Sequence, residues 1–298
     1  WRVLRRHRAL WLLALALTVV GTMAETEILG RAGEFGRPGL ISGVVQGLAQ
    51  SGLFTQEGLS GVWNLGTRDP AALAAFVGFL GALLVVLLGL GAASVAAQGA
   101  NAHGAALAGA GRSVTVGGSL GHALPRFWAV LGCNLFVKGT AVALFALLWQ
   151  AREAAPALFV FLFLIVSAVV LWLFLILKYA VAAVVLEGRG VLAALRRAAR
   201  LVAERPLPHL ELVGALFLIT VAIGGMLAVA VQLVLIPFNL LLGVALLLQL
   251  SQGGALYFYL SWAVVIALLA VGATLITGLH WSATTLGFVQ LATGRKPK

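Results

Sequence analysis

Six long runs of apolar residues constrain the fold of this 298-residue chain more than any other feature. They lie at 9–24, 71–98, 127–150, 157–186, 210–238 and 255–291. A helix that crosses a bilayer needs about 20 apolar residues, and these runs lack the two-residue alternation of barrel strands. Because lipid provides no hydrogen-bond partner for the backbone, continuous runs of this kind must be α-helices. The sequence therefore predicts an all-α, polytopic transmembrane helix bundle of about six spans.

The composition excludes other classes of protein. Hydrophobic residues make up 62% of the chain and charged residues 10%, whereas soluble domains contain about 25% charged residues. The single cysteine, Cys133, excludes an intrachain disulfide and a cysteine-based zinc site. None of the five histidines has a second ligand at metal-binding spacing. We therefore expect neither a metal nor a cofactor.

The distribution of charge predicts the orientation. With the N-terminus in the cytoplasm, 14 of the 20 Lys and Arg residues fall in inner segments and four in outer ones. The other two lie inside the runs: Lys138, and Lys178, which is within snorkelling reach of the inner interface. Because cytoplasmic loops are enriched in Lys and Arg, both termini are predicted to be cytoplasmic, in the bacterial inner membrane. Anionic lipid headgroups, rather than nucleic acid, are the expected counter-charge for the net charge of +11.

Several segments between the runs are expected to lie at the membrane surface. The outer loop 25–70 has apolar residues near helical spacing between 40 and 54, which predicts an interfacial or re-entrant helix. The stretch 240–250 is a second candidate for a helix lying flat outside. On the inner side, 112–126 and 188–205 separate apolar from basic residues, so each is predicted to be an amphipathic helix. The first run is expected to be an uncleaved span rather than a signal peptide.

A set of short stretches carries a family resemblance. The most specific has the form Glu-Gly-x-Gly-Val-x-x-Ala-Leu-Arg-Arg and covers residues 187–197. The others are Trp1-Arg2 with Leu10-Trp11, Ala96-Ala97-Gln98-Gly99, Val116-Gly117-Gly118-Ser119-Leu120 and Pro125-Arg126-Phe127-Trp128. Together they resemble the bacterial six-span membrane proteins similar to the membrane domain of glycerophosphoryl diester phosphodiesterases. The resemblance implies a six-span fold but no chemistry, because these residues include no phosphodiesterase catalytic domain.

Three polar residues within the runs form the candidate intramembrane site. Lys138 lies near the middle of the third run, where a charge costs about 2.5–3.5 kcal/mol on insertion scales. Asn134 lies one turn earlier on the same face, and no Asp or Glu stands in the interior of any run. Lys138 is therefore expected to face carbonyls or water, to lose its proton, or to meet an anionic group of a ligand or neighbouring subunit; a polar tie between helices is the structural alternative. His280 is expected to bond to a neighbouring helix rather than to relay protons or bind a tetrapyrrole.

The inner segment 188–205 is the second candidate site. Its basic residues share one side of the predicted helix: Arg189, Arg196, Arg197 and Arg200. Such a helix fits anionic headgroups of the inner leaflet, which we favour, or a docking surface for a partner subunit, as in the coupling helices of transporter permeases.

No set of residues with catalytic spacing is recognisable in the sequence. A nucleophile elbow, an HExxH motif, a phosphate-binding loop and paired inward carboxylates are all missing from the 298 residues. We therefore expect a non-enzymatic protein, a scaffold or accessory subunit associated with other membrane-protein subunits. The alternative is a permease-like transporter of a small molecule or lipid, with Lys138 and Asn134 lining the path. A membrane-embedded enzyme comes third.

Overall fold

The computed structural model describes residues 7–18, 60, 68–154, 156–248 and 251–293, which are helical apart from short turns and contain no strand. In chain order the helices are α1 (Arg8–Leu17), α2 (Pro70–Gly109), α3 (Val116–Ala123), α4 (Phe127–Ala154), α5 (Pro156–Glu187), α6 (Val191–Glu204), α7 (Pro206–Leu247) and α8 (Ser251–Thr293). The predicted fold class, an all-α membrane helix bundle, is confirmed.

The chain divides into two compact units. One comprises Trp1–Thr22 and Ser94–Lys298, and the other comprises Met23–Ala93. The second unit is described at residue 60 and from residue 68 onward, where it contains the first part of α2. The first unit contains the end of α2 and the other helices, together with the polar and basic residues singled out in the sequence.

Five segments of the described residues are long and apolar enough to cross a membrane. They are Pro70–Gly109, Val116–Leu148, Leu158–Glu187, Pro206–Val244 and Tyr259–Ala292, and they coincide with the last five apolar runs. The first run, 9–24, is described only as far as residue 18, over the 10-residue apolar helix α1. Its full length as a span, like the predicted surface helix between 40 and 54, lies outside the described residues.

Helix α7 includes the fifth apolar run and most of the stretch 240–250. A single helix of 42 residues runs from Pro206 to Leu247 with Pro237 inside it. At 1.5 Å per residue it is about 63 Å long, roughly twice the thickness of the hydrocarbon core. The stretch from 240 to 247 therefore continues α7, because a proline is tolerated inside a membrane helix and does not have to end it, and its expected position outside the membrane stays a prediction.

Helices α3 and α6 lie in the two predicted inner segments, and each follows a short turn. Thr115 begins α3, since its hydroxyl accepts a hydrogen bond from the backbone N–H of Gly118 at 3.2 Å. A 3-10 turn at Leu124–Arg126 then leads into α4. Helix α5 is followed by Gly188 with φ of 69°, a left-handed conformation that glycine adopts without strain, and α6 begins at Val191. The segments 112–126 and 188–205 thus each contain a helix.

The core of the first unit lies around the last turns of α5. Every residue from Tyr179 to Val185 is at most 1% exposed, so this end of the helix is surrounded by protein on all sides. Earlier in the same helix, Phe161, Leu164 and Leu171 are more than half exposed. Large apolar side chains on such a surface are compatible with lipid tails, which are as apolar as leucine. One helix therefore passes from an exposed apolar segment into a tightly packed core.

Glycines allow close approach of the helices around this core. A Cβ atom at Gly99 of α2 would lie 3.0 Å from the Cβ of Ala123 in α3. A Cβ atom at Gly132 of α4 would lie 2.8 Å from Cγ2 of Val191, the first residue of α6. Gly132 therefore sets the distance between α4 and the start of α6.

Replacing Gly132 with leucine should push α6 away from α4 and lower the thermal midpoint of the purified protein. Overpacking of this kind costs about 1–3 kcal/mol. The matched control is Gly139→Leu, two turns later on α4, where a Cβ atom meets nothing within 4 Å among the described residues. Equal midpoints for the two variants would contradict the close packing of α4 on α6.

Candidate functional site

Helix α6 carries the predicted basic residues, and its apolar face is covered by protein. Its buried residues are Ala194, Leu195, Ala198, Leu201 and Val202. They belong to the same core as the end of α5, on which α6 mainly packs. A helix that lies on a leaflet inserts its apolar face among the lipids. The apolar face of α6 is thus covered by α5, and the expected contact with anionic headgroups stays a prediction for its basic side.

Glu187 fastens the start of α6. Its carboxylate accepts a hydrogen bond from Nε of Arg189 and lies 3.9 Å from Nε of Arg197. Because Glu187 is the last residue of α5, these ion pairs join that helix to the turn that follows and to α6. Exposed ion pairs contribute only about 0–1 kcal/mol, so their effect is chiefly on the position of the two arginines.

His209 fastens the other end of α6. Its Nε2 atom lies 3.0 Å from the carbonyl oxygen of Leu201, and its Nδ1 atom lies 2.9 Å from the hydroxyl of Tyr179. Since a carbonyl can only accept, Nε2 carries the proton and Nδ1 accepts from the tyrosine. Both side chains are fully buried. The last carbonyls of a helix lack an intrahelical partner, so His209 caps α6 and joins it to α5 and α7.

The two attachments leave a basic face on α6, which we define as Arg189, Arg196, Arg197 and Arg200. Arg196 and Arg200 are exposed neighbours one helical turn apart, whereas the side chains of Arg189 and Arg197 are 43% and 28% exposed and share Glu187. Guanidinium groups recognise carboxylates and phosphates through paired donors. The basic face is therefore suited to an acidic protein surface or to anionic headgroups.

The predicted residues Asn134 and Lys138 lie on α4. Asn134 is buried, and its Nδ2 donates to Oε1 of Gln98 at 2.7 Å and to the carbonyl of Val130 at 3.0 Å. The first of these bonds joins α4 to α2. Lys138, one turn further along, is half-buried. Asn134 therefore ties two helices together.

His280 bonds to two neighbouring helices. Its Nε2 atom lies 2.8 Å from Oγ1 of Thr220 on α7, and its Nδ1 atom lies 3.4 Å from Nζ of Lys178 on α5. The hydroxyl of Thr220 donates to the carbonyl of Leu216 at 2.8 Å, so it accepts from Nε2, and Nδ1 faces the amine of Lys178. Lys178 thus contacts α8 through His280 in addition to any reach toward the interface.

A pair of histidines joins α2 and α3. The rings of His103 and His122 stack with their centroids 4.0 Å apart. Nε2 of His122 lies 3.2 Å from the carbonyl oxygen of Val185, and the backbone carbonyl of His122 accepts from Arg126 at 2.9 Å. This contact links α3 to the buried end of α5.

Sequence reasoning missed the partners of the predicted residues. Gln98 and Thr220 are isolated polar residues in apolar runs, and that feature could have marked them as candidates for contacts between helices. Tyr179 and His209 are 30 residues apart, and only the rotation of α5 against α7 brings them together. Neither the spacing nor the residue types indicated this contact.

Comparison of the chain with protein-family models, curated proteins and solved structures finds no significant match. The resemblance to the membrane domain of glycerophosphoryl diester phosphodiesterases therefore stays a prediction. In the described part of the chain, no three His, Cys, Asp or Glu side chains are placed to hold a metal ion together.

Replacing Tyr179 with phenylalanine should destabilise the attachment of α6. The variant removes the donor to Nδ1 of His209 and leaves a buried acceptor unpaired, which costs about 1–3 kcal/mol. The thermal midpoint is expected to fall by several degrees. Tyr259→Phe is the matched control, because Tyr259 is 70% exposed. If the two variants have equal thermal midpoints, the bond between Tyr179 and His209 does not hold α6 in place.

Proposed function

We propose that this protein is a non-enzymatic scaffold or accessory subunit of a larger assembly in the bacterial cytoplasmic membrane. In this proposal both termini are cytoplasmic, and the basic face of α6 binds an acidic surface of a partner subunit on that side. Anionic headgroups next to the basic face are its other neighbours.

The observation that carries the proposal is the way α6 is held. Its apolar face is buried against α5, its start is fastened by Glu187 and its end is capped by His209. A helix held in this way presents Arg196 and Arg200 without needing lipid to cover its other face. This favours docking of a protein partner over simple adsorption to the leaflet.

The buried polar groups support a structural role. The bond between Asn134 and Gln98 joins α4 to α2, that between Tyr179 and His209 joins α5 to α7, and that between His280 and Thr220 joins α8 to α7. Enzymes place acids, bases and nucleophiles around a point where substrate can react. These side chains instead join one helix to the next.

Reversing the charge of the basic face should release the partner. We expect the wild-type chain of 31.0 kDa to migrate in mild detergent as a stoichiometric complex of higher mass, and Arg196→Glu with Arg200→Glu to migrate alone. Raising the salt to about 1 M, where the screening length falls to about 3 Å, should have the same effect on the wild type. Native mass spectrometry measures both.

The control for this experiment is Arg112→Glu, which reverses the charge of an exposed arginine outside the basic face and should leave the complex intact. Two results oppose the proposal. In one, the double variant retains its partner. In the other, the variant loses only its binding to vesicles containing anionic lipid, which would assign the basic face to headgroups.

A permease-like transporter is the second candidate, and the contact between Lys178 and His280 favours it. Ionisable side chains within membrane spans commonly mark transport pathways. In that case Lys138 and Asn134 would also line the path. A single-chain particle in mild detergent, whose uptake activity disappears in Lys138→Ala, would support transport over the scaffold.

A further inference from the structure

The buried carboxamide of Asn134 is only partly satisfied. Both hydrogens of its Nδ2 are used, one by Oε1 of Gln98 and the other by the carbonyl of Val130. Its Oδ1 atom is buried and accepts no hydrogen bond from the described residues. The side chain is 4% exposed, so bulk solvent does not reach this oxygen freely. Asn134 therefore presents an acceptor in the interior of the bundle.

A second carboxamide, that of Asn101, lies one helical turn from Gln98 on α2. Asn101 follows Gln98 by three residues on α2, and residues with this spacing lie on the same face of a helix. Its side chain is 0% exposed, and neither Oδ1 nor Nδ2 has a hydrogen-bond partner in the described part of the chain. Burial of an amide with no partner at all is strongly destabilising. Asn101 adds an unpaired acceptor and two unpaired donor hydrogens.

The residues around Asn101 on α2 are small. Ala97 precedes it by one turn, and Gly104 and Ala105 follow it by one turn, so Gln98 is the long side chain among its neighbours one turn away on this helix. The hydroxyl of Ser119 is also buried without a partner among the described residues, and it lies 3.3 Å from a Cβ atom placed at Gly104. Unpaired polar atoms are thus present on α4 at Asn134, on α2 at Asn101 and on α3 at Ser119.

We propose that Asn101 and Asn134, with Gln98 holding Asn134 in place, bind a small uncharged molecule that both donates and accepts hydrogen bonds. The two Oδ1 atoms require donors and Nδ2 of Asn101 requires an acceptor, so an ion of either sign would satisfy only some of them. Water and small amides or alcohols share this chemistry. The site is separate from the basic face of α6, so a test of the proposed assembly role neither supports nor contradicts this proposal.

Nuclear magnetic resonance of the full chain in lipid nanodiscs, with ¹⁵N-labelled asparagine side chains, tests the proposal directly. The probes are water itself and acetamide. We expect exchange cross-peaks between water and the Nδ2 hydrogens of Asn101. If acetamide shifts these resonances in a saturable way and removes the water cross-peaks, the site accepts small solutes. If the cross-peaks persist unchanged, its occupant is water. A carboxamide with neither water contact nor acetamide shift would overturn the proposal.

The variant Asn101→Leu gives a second, independent measurement, since leucine has a similar size and no polar atoms. Replacing an amide whose hydrogen bonds are completed by a ligand lowers stability, whereas replacing an unpaired one raises it. We therefore expect the thermal midpoint to fall by several degrees and any acetamide-induced shift to be lost. Asn239→Leu, the same change at an exposed position on α7, should retain the acetamide response. A higher midpoint for Asn101→Leu would overturn the proposal, and Asn101→Ala repeats the test if the leucine variant does not fold.

Discussion

The interior of a lipid bilayer contains no partner for a polar group, and the packing of this bundle follows from that constraint. The backbone satisfies it by forming helices throughout the described spans. Side chains satisfy it by bonding to carbonyls of their own helix, as Thr220 does with Leu216, or by pairing across helices, as Asn134 does with Gln98 and Tyr179 with His209. Apolar residues permit many rotations of one helix against another. Each polar pair forms in only one of these rotations, so a few hydrogen bonds specify how the helices are arranged.

The same constraint explains why α6 presents its arginines. A short helix that is basic on one side and apolar on the other has two ways to bury its apolar side, in lipid or in protein. Here the end of α5 supplies a surface of small and β-branched residues from Ala180 to Val185, and α6 packs against it. Because the carbonyl of Leu201 is capped by a buried histidine, movement of α6 into lipid would also leave Nε2 of His209 without its acceptor.

The length and continuity of the apolar runs predicted the five described spans, and the alternation of arginine with alanine and leucine predicted α6. These features depend on neighbours along the chain. The continuation of α7 through Pro237 to Leu247 was not predicted, because a proline inside an apolar stretch is compatible either with the end of a helix or with its continuation. The partner of Asn134, the capping of α6 and the contact of Lys178 with His280 were not predictable. Each depends on the rotation of helices far apart in sequence, which hydrophobicity alone leaves undetermined.

Two consecutive residues of α5 show how the bundle connects its interior to α6. Successive side chains of a helix point about 100° apart, so Lys178 and Tyr179 face different neighbours. Lys178 contacts His280 of α8, which bonds to Thr220 of α7, and Tyr179 bonds to His209 at the start of the same helix. Helix α7 is therefore held at His209 and at Thr220, about 16 Å apart along the helix. His209 also caps α6. The contacts of Lys178 and Tyr179 therefore connect the cap of α6 to polar contacts of α7 and α8.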